Sequence, residues 1–201
     1  MTFAILPVKD PCRAKERLAG VLGPAEREAL ARAMYHHVIE VLCAARGFDR
    51  IVVVTSDAAT AADARRRGAA VFQEPEQLSH SRSADDAARR AAQLGAATVV
   101  LLPIDLPLVT AAEIEGLLAA APRPGVLIVP SADGTGTNAV VRTPPDAIAS
   151  RFGPGSFAAH LAEARARGVP VVVARPPGVV FDVDTPEDLA ELRRLQCPSV
   201  S

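Results

Sequence analysis

The sequence is poor in aromatic residues and cysteine, and it has no strong charge bias. Aromatic residues make up 3% of the 201 residues and tryptophan is absent, which disfavours a base-stacking surface for single-stranded nucleic acid. Lys and Arg number 22 against 23 Asp and Glu, a formal charge of −1, so nothing indicates a nucleic-acid or anionic-membrane partner. Any bound anion must therefore be held by a local group of residues.

Cysteine occurs only as Cys12, Cys43 and Cys197. An odd, scattered set without a CxxC argues against a disulfide framework or a zinc site and fits a reducing cytoplasm. The first residues lack the basic start and long apolar core of a signal peptide, and no apolar run approaches the roughly 18 residues of a membrane span. We expect a soluble, cytoplasmic protein whose residues 1–201 form a single domain.

Short apolar runs alternate with segments of helical periodicity along the chain. Strands at Phe3–Pro7, Ile51–Thr55 and Ala70–Phe72, with helices between them, predict a β-α-β-α-β start. This order is typical of a parallel sheet with right-handed crossovers. The fold class is therefore α/β, with a mostly parallel central sheet flanked by helices. Later elements include helices capped by Ser83 and Ser156, helices capped by Thr110 and Thr185 with an acid three residues later, and a last strand over Val179–Asp184.

The most informative stretch runs from Thr98 to Leu108, and it reads as a strand that is buried on both faces. Asp105 stands where we expect this strand to end. A carboxylate at the carboxyl end of a central parallel strand faces the crevice in which open α/β sheets bind ligands. The alternative is an Asp that forms a turn by bonding its own backbone.

Two further carboxylates, Asp182 and Asp184, follow the predicted last strand. If that segment is extended, alternation places both on one face, where they can bind a divalent cation. Hard oxygen ligands completed by phosphate favour Mg²⁺. The alternative is a solvated strand end that interacts with the dipole of the following helix.

Three loops could bind anions. Lys9, Lys15 and Arg17 follow the first strand, although surface charges would also explain them. The run 134–138, GTGTN, has glycines that let backbone N–H groups approach an anion, or it forms a plain hairpin loop. The run 152–156, FGPGS, leads into a helix N-terminus that suits a phosphate or carboxylate, or Ser156 only caps the helix. The histidines show no ligand spacing.

Together these groups are the parts that metal-assisted nucleotidyl transfer requires. Cations hold a triphosphate, a metal ion neutralises charge on the α-phosphate, and hydroxyl and backbone donors hold an acidic acceptor. A phosphate monoester is mostly dianionic at neutral pH, because its second pKa is about 6, so its own oxygen can attack the α-phosphorus. No protein nucleophile is needed.

The order of the motifs and the residues in them resemble those of one protein family. Leu6-Pro7-Val8-Lys9, Ala14-Lys15-Glu16-Arg17-Leu18, Ile104-Asp105-Leu106-Pro107-Leu108, 133–139 (DGTGTNA), 152–157 (FGPGSF) with His160, and 182–189 (DVDTPEDL) are similar to the phosphoenolpyruvate and 2-phospho-L-lactate guanylyltransferases of coenzyme F420 biosynthesis. The resemblance covers essentially the whole chain, and the pairing of GTGTN with FGPGSF is its most specific part.

This resemblance implies a nucleotidyltransferase-type α/β sandwich and a role for each motif. Magnesium would be held by Asp105, Asp182 and Asp184, and the phosphorylated three-carbon acid by Thr137, Gly153 and Ser156. The GTP phosphates would face Lys9, Lys15 and Arg17, and the catalytic set would be Asp105, Lys15 and Arg17.

One segment departs from the family pattern, which usually has a glycine-leucine-asparagine-like run at the start of the middle helix. This chain has Ser83-Ala84-Asp85-Asp86 there, and we expect Asp85 to contact the guanine edge or ribose of GTP. The motifs do not fix the acid, because phosphoenolpyruvate, 2-phospho-L-lactate and a phosphoglycerate share the carboxylate and phosphate. The Ala/Arg-rich composition, typical of a bacterium with high genomic GC, favours phosphoenolpyruvate, with 2-phospho-L-lactate next. The resemblance also implies a downstream deazaflavin transferase, and it leaves a homodimer open.

Two other functions remain open at the level of sequence. One is a nucleotidyltransferase for another acceptor, such as 3-phosphoglycerate, a sugar phosphate or molybdopterin. The other is a non-catalytic nucleotide-binding domain, which would bind GTP without releasing pyrophosphate. A domain that only binds a nucleotide rarely needs three separate acidic residues at strand ends, and this disfavours the non-catalytic alternative.

Overall fold

The fold is a seven-stranded sheet covered by helices on both faces. The computed structural model describes residues 1–10, 15–76 and 78–196; Cys12 and Cys197 lie outside these ranges. The strands are β1 (Thr2–Pro7), β2 (Arg50–Thr55), β3 (Ala70–Gln73), β4 (Thr98–Leu101), β5 (Gly125–Pro130), β6 (Thr137–Thr143) and β7 (Val171–Val173). The helices are α1 (Pro24–Ala44), α2 (Ala58–Arg66), α3 (His80–Gln93), α4 (Ala111–Ala120), α5 (Ser156–Ala166), α6 (Pro177–Val180) and α7 (Pro186–Gln196), with a 3-10 turn at Glu16–Leu18.

The sheet has the strand order β3-β2-β1-β4-β6-β5-β7. All neighbouring pairs are parallel except those that β6 makes with β4 and β5. The predicted α/β class with a mostly parallel central sheet is therefore confirmed. Because β6 runs against its neighbours, its first residue lies at the edge where the parallel strands end.

Alternating side chains of the strands supply two apolar cores, one on each face of the sheet. Ala4 and Leu6 of β1 pack with α1 and α4, whereas Phe3 and Ile5 pack with α3 and α5. This alternation is the period-two pattern of a strand buried on both faces. A smaller cluster joins α7 to α1 and to Leu18. None of the described helices is both long and apolar enough to cross a membrane.

Two predicted boundaries were wrong. β4 ends at Leu101, so Asp105 lies in the loop beyond it rather than directly at its end. α3 begins at His80, because the side chain of Ser79 accepts the N–H of Arg82; Ser83 is buried within the helix and caps nothing. Three serines in five residues can each cap a helix, and the local pattern does not distinguish them.

The predicted strand over Val179–Asp184 was also wrong. Pro177 begins α6 there, Phe181 ends it in an extended conformation, and residues 181–184 belong to no strand of the sheet. Their backbone partners lie elsewhere, since the N–H of Val183 donates to the carbonyl oxygen of Asp105 at 3.1 Å. The predicted caps at Thr110 and Thr185 are present, each paired with an acid three residues later.

Candidate active site

Most of the predicted site residues lie at one edge of the sheet, where the parallel strands end. Lys9 follows β1, Asp105 follows β4, and Thr137 begins β6. The hydrogen bond between Val183 and Asp105 brings Asp182 and Asp184 to the same edge. This is where open α/β sheets bind ligands. A groove elsewhere on the surface, open to solvent and lined by residues that include Arg89 and Pro144, contains none of the predicted site residues.

Lys15 joins two of the predicted metal ligands. Its Nζ donates to Oδ2 of Asp105 and to Oδ1 of Asp184, both at 2.9 Å, and its side chain is 7% exposed. Burial lowers the pKa of Lys15, but the two carboxylates outweigh that effect and the net shift is upward. Lys15 has φ of 58°, the left-handed region that non-glycine residues rarely adopt. The backbone is thus held in a rare conformation that puts this ammonium group between two acids.

Arg17 extends this positive group towards solvent. Its Nη1 lies 3.7 Å from Oδ2 of Asp184, and its side chain is largely exposed. Lys9 is exposed as well. The structure therefore brings Lys15 and Arg17 to the acids and leaves Arg17 and Lys9 accessible to a ligand.

Asp182 is held by Asn138, which the sequence analysis did not single out. Nδ2 of Asn138 donates to Oδ1 of Asp182 at 3.1 Å and to the carbonyl oxygens of Val179 and Val180 at 3.0 and 2.9 Å. Burial raises the pKa of Asp182 to about 6; the bond from Asn138 opposes this shift, and the charges of Asp105 and Asp184 add to it. The only signal for Asn138 in the sequence is its place at the end of the GTGTN run.

The chemistry of this group suits a divalent cation, although a finished metal site is not formed. Within residues 1–10, 15–76 and 78–196, no three His, Cys, Asp or Glu side chains are arranged to hold a metal ion together. Asp105 and Asp184 nevertheless converge on one positive group, the Lys15 ammonium. Carboxylate oxygens are the donors that Mg²⁺ prefers. The donor set therefore fits Mg²⁺, with Lys15 lying where an ion would share these two carboxylates.

The GTGTN run forms a loop that satisfies its own backbone. Asp133 accepts from Thr135, Ser131 donates to Asp133, and the N–H of Gly136 donates to Ser131 Oγ at 2.7 Å. These bonds hold the pKa of Asp133 well below its usual range. The interpretation that this loop binds an anion through its glycine N–H groups does not fit, because the N–H of Gly134 also donates within the loop. The loop instead places Thr137 and Asn138 at the start of β6.

Thr137 and Ser156 meet in a buried group with His160. Ser156 Oγ donates to Thr137 Oγ1 at 3.2 Å, and His160 Nδ1 lies 3.1 Å from the same oxygen. Ser156 is the first residue of α5 and not its cap, since Gly155 takes that position with φ of 70°. Gly153, with φ of 129°, is exposed in the preceding loop. His160 was not assigned a role from sequence, although its spacing of four residues from Ser156 puts both on one helix face.

Ring contacts connect this group to the charged residues. Phe152 contacts His160 and His80 edge to face, with ring centroids 5.1 and 4.6 Å apart. Burial lowers the pKa of His80 to about 4, with Asp105 opposing the shift and Lys9 adding to it. His80 therefore lies between the FGPGS segment and the acidic group. It also lines a small cleft at the ends of β1, β2 and β3, together with Lys9, Ser56 and Glu74.

Asp85 does not join the site. Its carboxylate accepts from the buried guanidinium of Arg142 at 3.0 Å and from the N–H and hydroxyl of Ser150. Arg142 is 1% exposed and also donates to the carbonyl oxygen of Ile148. The carboxylate of Asp85 therefore neutralises a buried cation, and the expectation that it contacts GTP does not fit this position.

Comparison with known proteins gives consistent matches over nearly the whole chain. A family model described as "Guanylyl transferase CofC like" matches residues 2–194. The phosphoenolpyruvate guanylyltransferase of Sphaerobacter thermophilus is 43% identical over 196 residues, 95% of this chain and 92% of that protein. The 2-phospho-L-lactate guanylyltransferase of Methanothermobacter thermautotrophicus is 37% identical over 95% of this chain and 83% of its own length.

A third relative differs in its named substrate. The 3-phospho-D-glycerate guanylyltransferase of Colwellia psychrerythraea is 33% identical over 98% of this chain and 93% of its own length. Among solved structures, a nucleotidyl transferase from Methanothermobacter thermautotrophicus superimposes with a TM-score of 0.65 at 20% identity, covering 96% of each chain. That similarity supports the nucleotidyltransferase fold.

Proposed function

Because this chain belongs to the CofC-like guanylyl transferase family, we propose that it joins GTP to a phosphorylated three-carbon acid and releases pyrophosphate. Phosphoenolpyruvate is the favoured acid, because the relative with 43% identity is named for it. 2-Phospho-L-lactate and 3-phosphoglycerate follow, since relatives at lower identity are named for them. The observation that carries the proposal is the convergence of Lys15 with Asp105 and Asp184 at the ligand-binding edge of the sheet.

In this reaction the protein must position two anions, GTP and the phosphorylated acid, and neutralise their charge. A phosphate oxygen of the acid attacks the α-phosphorus of GTP, and the bond to pyrophosphate breaks. Lys9, Lys15 and Arg17 supply positive charge for the triphosphate. Thr137, Gly153 and Ser156 are assigned to binding of the acid. No residue needs to act as a nucleophile, because the phosphate dianion is already ionised at neutral pH.

Asp105, Asp182 and Asp184 would hold Mg²⁺. When bound, the ion supplies charge neutralisation at the phosphates of the nucleotide. Lys15 would then turn from the carboxylates towards the phosphates, so one ammonium group serves both states. Asn138 keeps Asp182 in place through its amide.

We propose that the guanine base binds over the surface formed by Lys9, Ser56, Glu74 and His80, because the cleft between them, about 10 Å³, is too small to enclose a base. Guanine presents N–H donors on its Watson–Crick edge, and a carboxylate that accepts from two of them recognises guanine over adenine. Glu74, directly after β3, is the acidic residue of this cleft. Asp85 has no part in this proposal.

We further propose that the enzyme works in the cytoplasm on the coenzyme F420 pathway. Its activated product would pass to a deazaflavin transferase. A homodimer is compatible with the proposal but is not needed for it, because all the residues invoked lie on one chain.

The test is magnesium-dependent pyrophosphate release from GTP, measured with phosphoenolpyruvate, 2-phospho-L-lactate and 3-phosphoglycerate in turn. Release with one acid, lost on chelation, is the expected result. Asp105→Asn should lower turnover about 100-fold or more, because removing one preorganised charge at the reacting phosphates has effects of this size. The matched control is Asp86→Asn, which removes an acid that pairs with Arg89 on the exposed face of α3.

Two outcomes would overturn the proposal. GTP binding without pyrophosphate release for any of the three acids would leave a non-catalytic nucleotide-binding domain. Turnover by Asp105→Asn equal to wild type at saturating magnesium would remove the metal role of Asp105. Release with a sugar phosphate alone would keep the nucleotidyltransferase and replace its acceptor.

A further inference from the structure

The buried group of Thr137, Ser156 and His160 has a fixed direction of hydrogen bonding. The three residues are 8, 2 and 1% exposed. In such a site each donor and acceptor needs a partner, so the positions of the protons follow from a complete count. Hydroxyl and imidazole protons can be assigned here from the neighbouring backbone groups, whose donor or acceptor character is fixed.

The backbone N–H of Arg151 determines the tautomer of His160. This N–H lies 2.9 Å from Nε2 and can only donate, so Nε2 accepts and carries no proton. A neutral imidazole then has its proton on Nδ1. Nδ1 therefore donates to Thr137 Oγ1.

Thr137 consequently accepts two hydrogen bonds, one from His160 Nδ1 and one from Ser156 Oγ. A hydroxyl has two lone pairs and one proton. Both lone pairs are used, so the proton is left to be donated elsewhere. Within the described ranges, His160 and Ser156 are the side-chain partners of Thr137 Oγ1, and in this assignment both of them donate to it.

We propose that His160 is a positioning residue that fixes the Thr137 hydroxyl as a donor to the anionic acceptor substrate. The proposal rests on the function proposed above and names the device by which the acid is held. A donor suits the carboxylate or phosphate of the acid, because both only accept when ionised. The opposite tautomer would draw the Thr137 proton to Nδ1 and turn an oxygen lone pair towards the anion, which would repel it.

His160 keeps this role over the physiological pH range. Burial lowers its pKa to about 4, and the charge of Arg142 adds to the effect, while a backbone hydrogen bond with Ser156 opposes it. The ring therefore stays neutral, with one donor and one acceptor. Phe152, which packs edge to face against it, fills the side of the ring towards His80.

Two substitutions separate the donor from the acceptor of the ring. In His160→Asn the amide nitrogen can take the place of Nδ1 and donate to Thr137. In His160→Gln the longer side chain brings the amide to the place of Nε2, where its oxygen can accept from Arg151, and Thr137 loses its donor. We expect the KM for the acid to rise about tenfold in His160→Gln and His160→Phe, the effect of one misdirected hydrogen bond to a charged group.

His160→Asn should restore most of the affinity for the acid, and the KM for GTP should change little in all three variants. In Thr137→Ala, replacing His160 by Gln should add no further loss, because His160 acts through Thr137. His37→Gln is the matched control, since His37 is a half-buried histidine bonded to the carbonyl oxygen of Val109. A merely structural His160 would instead give losses that add to Thr137→Ala and that follow stability.

A second measurement does not depend on activity. Nitrogen-detected NMR of the histidine rings in the wild-type protein reports which ring nitrogen carries the proton. We expect His160 to be neutral with the proton on Nδ1 between pH 6 and 8, and a proton on Nε2 would overturn the proposal. If the tautomer is as expected but no acid supports pyrophosphate release, the proposed function fails. If release occurs and His160→Gln binds the acid as tightly as His160→Asn does, the positioning role fails.

Discussion

At the scale of single residues, Lys15 is the most informative side chain. Its ammonium group is buried between Asp105 and Asp184, and these carboxylates are also the proposed ligands of Mg²⁺. A cation already bound to two carboxylates competes with a metal ion for them. If Mg²⁺ is held by these carboxylates as proposed, Lys15 would be free to contact the phosphates of the nucleotide instead.

Lys15→Met tests this exchange. The variant leaves the two carboxylates without their cation, so we expect Mg²⁺ to raise its melting temperature by more than it raises that of the wild-type protein. Turnover should fall about 100-fold, because the positive charge at the phosphates is lost. Thermal unfolding with and without Mg²⁺ measures the first effect, and pyrophosphate release measures the second.

Lys9→Met is the matched control, because Lys9 is exposed and follows β1 without bonding to these acids. It should weaken GTP binding and leave the response to Mg²⁺ as in wild type. An equal response of Lys15→Met and wild type to Mg²⁺ would show that Lys15 does not compete for the ion.

At the scale of elements, the segment between α6 and α7 shows how a loop is fixed without a strand. Asn138 donates to the carbonyl oxygens of Val179 and Val180 and to the carboxylate of Asp182. All three partners are acceptors, so only a donor side chain suits position 138. The single asparagine of the sequence thus joins β6 to the loop that carries two of the proposed metal ligands.

Asn138→Asp should destabilise the protein more than Asn138→Ala. Alanine leaves buried acceptors unpaired, at a cost of about 1–3 kcal/mol, whereas a carboxylate would add repulsion with those acceptors. Urea unfolding measures both. Thr143→Val, which removes a hydroxyl bonded to Thr98 at the other end of β6, is the control and should retain activity. Equal stability of the two Asn138 variants would contradict the three-acceptor account.

The sequence predicted an element well where the interactions that form it join residues only a few positions apart. The caps at Thr110 and Thr185 depend on residues three positions apart, and both were found. The strand predicted over Val179–Asp184 failed because four apolar residues suit a strand or a buried turn equally well, and the choice was made by partners far along the chain. Ser83 failed as a cap because α3 begins earlier, at His80, and Ser79 caps it there.

The candidate site followed the same rule: residue types were predictable from the sequence, but partners far along the chain were not. Acids and cations in motifs could be identified from their residue types, but the partners of Asp85 could not, since Arg142 lies 57 residues away and reads as an ordinary strand residue. His160 has no metal-ligand spacing, so its sequence position alone predicts no role. Its role depends on the N–H of Arg151 and on Thr137, which only the folded chain brings together.

At the scale of the whole molecule, the site edge collects buried groups with shifted pKa values, so stability depends on pH there. The pKa of His80 and of His160 is lowered to about 4, and that of Asp182 is raised to about 6. A histidine whose pKa is lowered by folding makes the protein less stable as the pH falls below 6.5, the pKa of histidine in the unfolded chain. In that range only the unfolded chain takes up the proton. Asp182 acts in the opposite direction, since the folded chain binds the proton first.

The two histidines outweigh the single aspartate, and we expect the free energy of unfolding to fall between pH 7 and pH 5. Each histidine contributes a loss of about 2 kcal/mol over this range and Asp182 a gain of about 1 kcal/mol, so the net loss is on the order of 2–3 kcal/mol. Carboxylates such as Asp57 and Asp63, whose pKa values are lowered from 3.8, titrate below this window. Urea unfolding at the two pH values measures the difference.

Substitutions at the two kinds of group should change this pH dependence in opposite directions. His80→Phe keeps an aromatic ring against Phe152 and removes one titrating group, so the loss of stability from pH 7 to pH 5 should shrink by about 2 kcal/mol. Asp182→Asn removes the opposing group, so the loss should grow by about 1 kcal/mol. A wild-type protein as stable at pH 5 as at pH 7, or a His80→Phe variant with an unchanged dependence, would show that these histidines take up protons in the folded state.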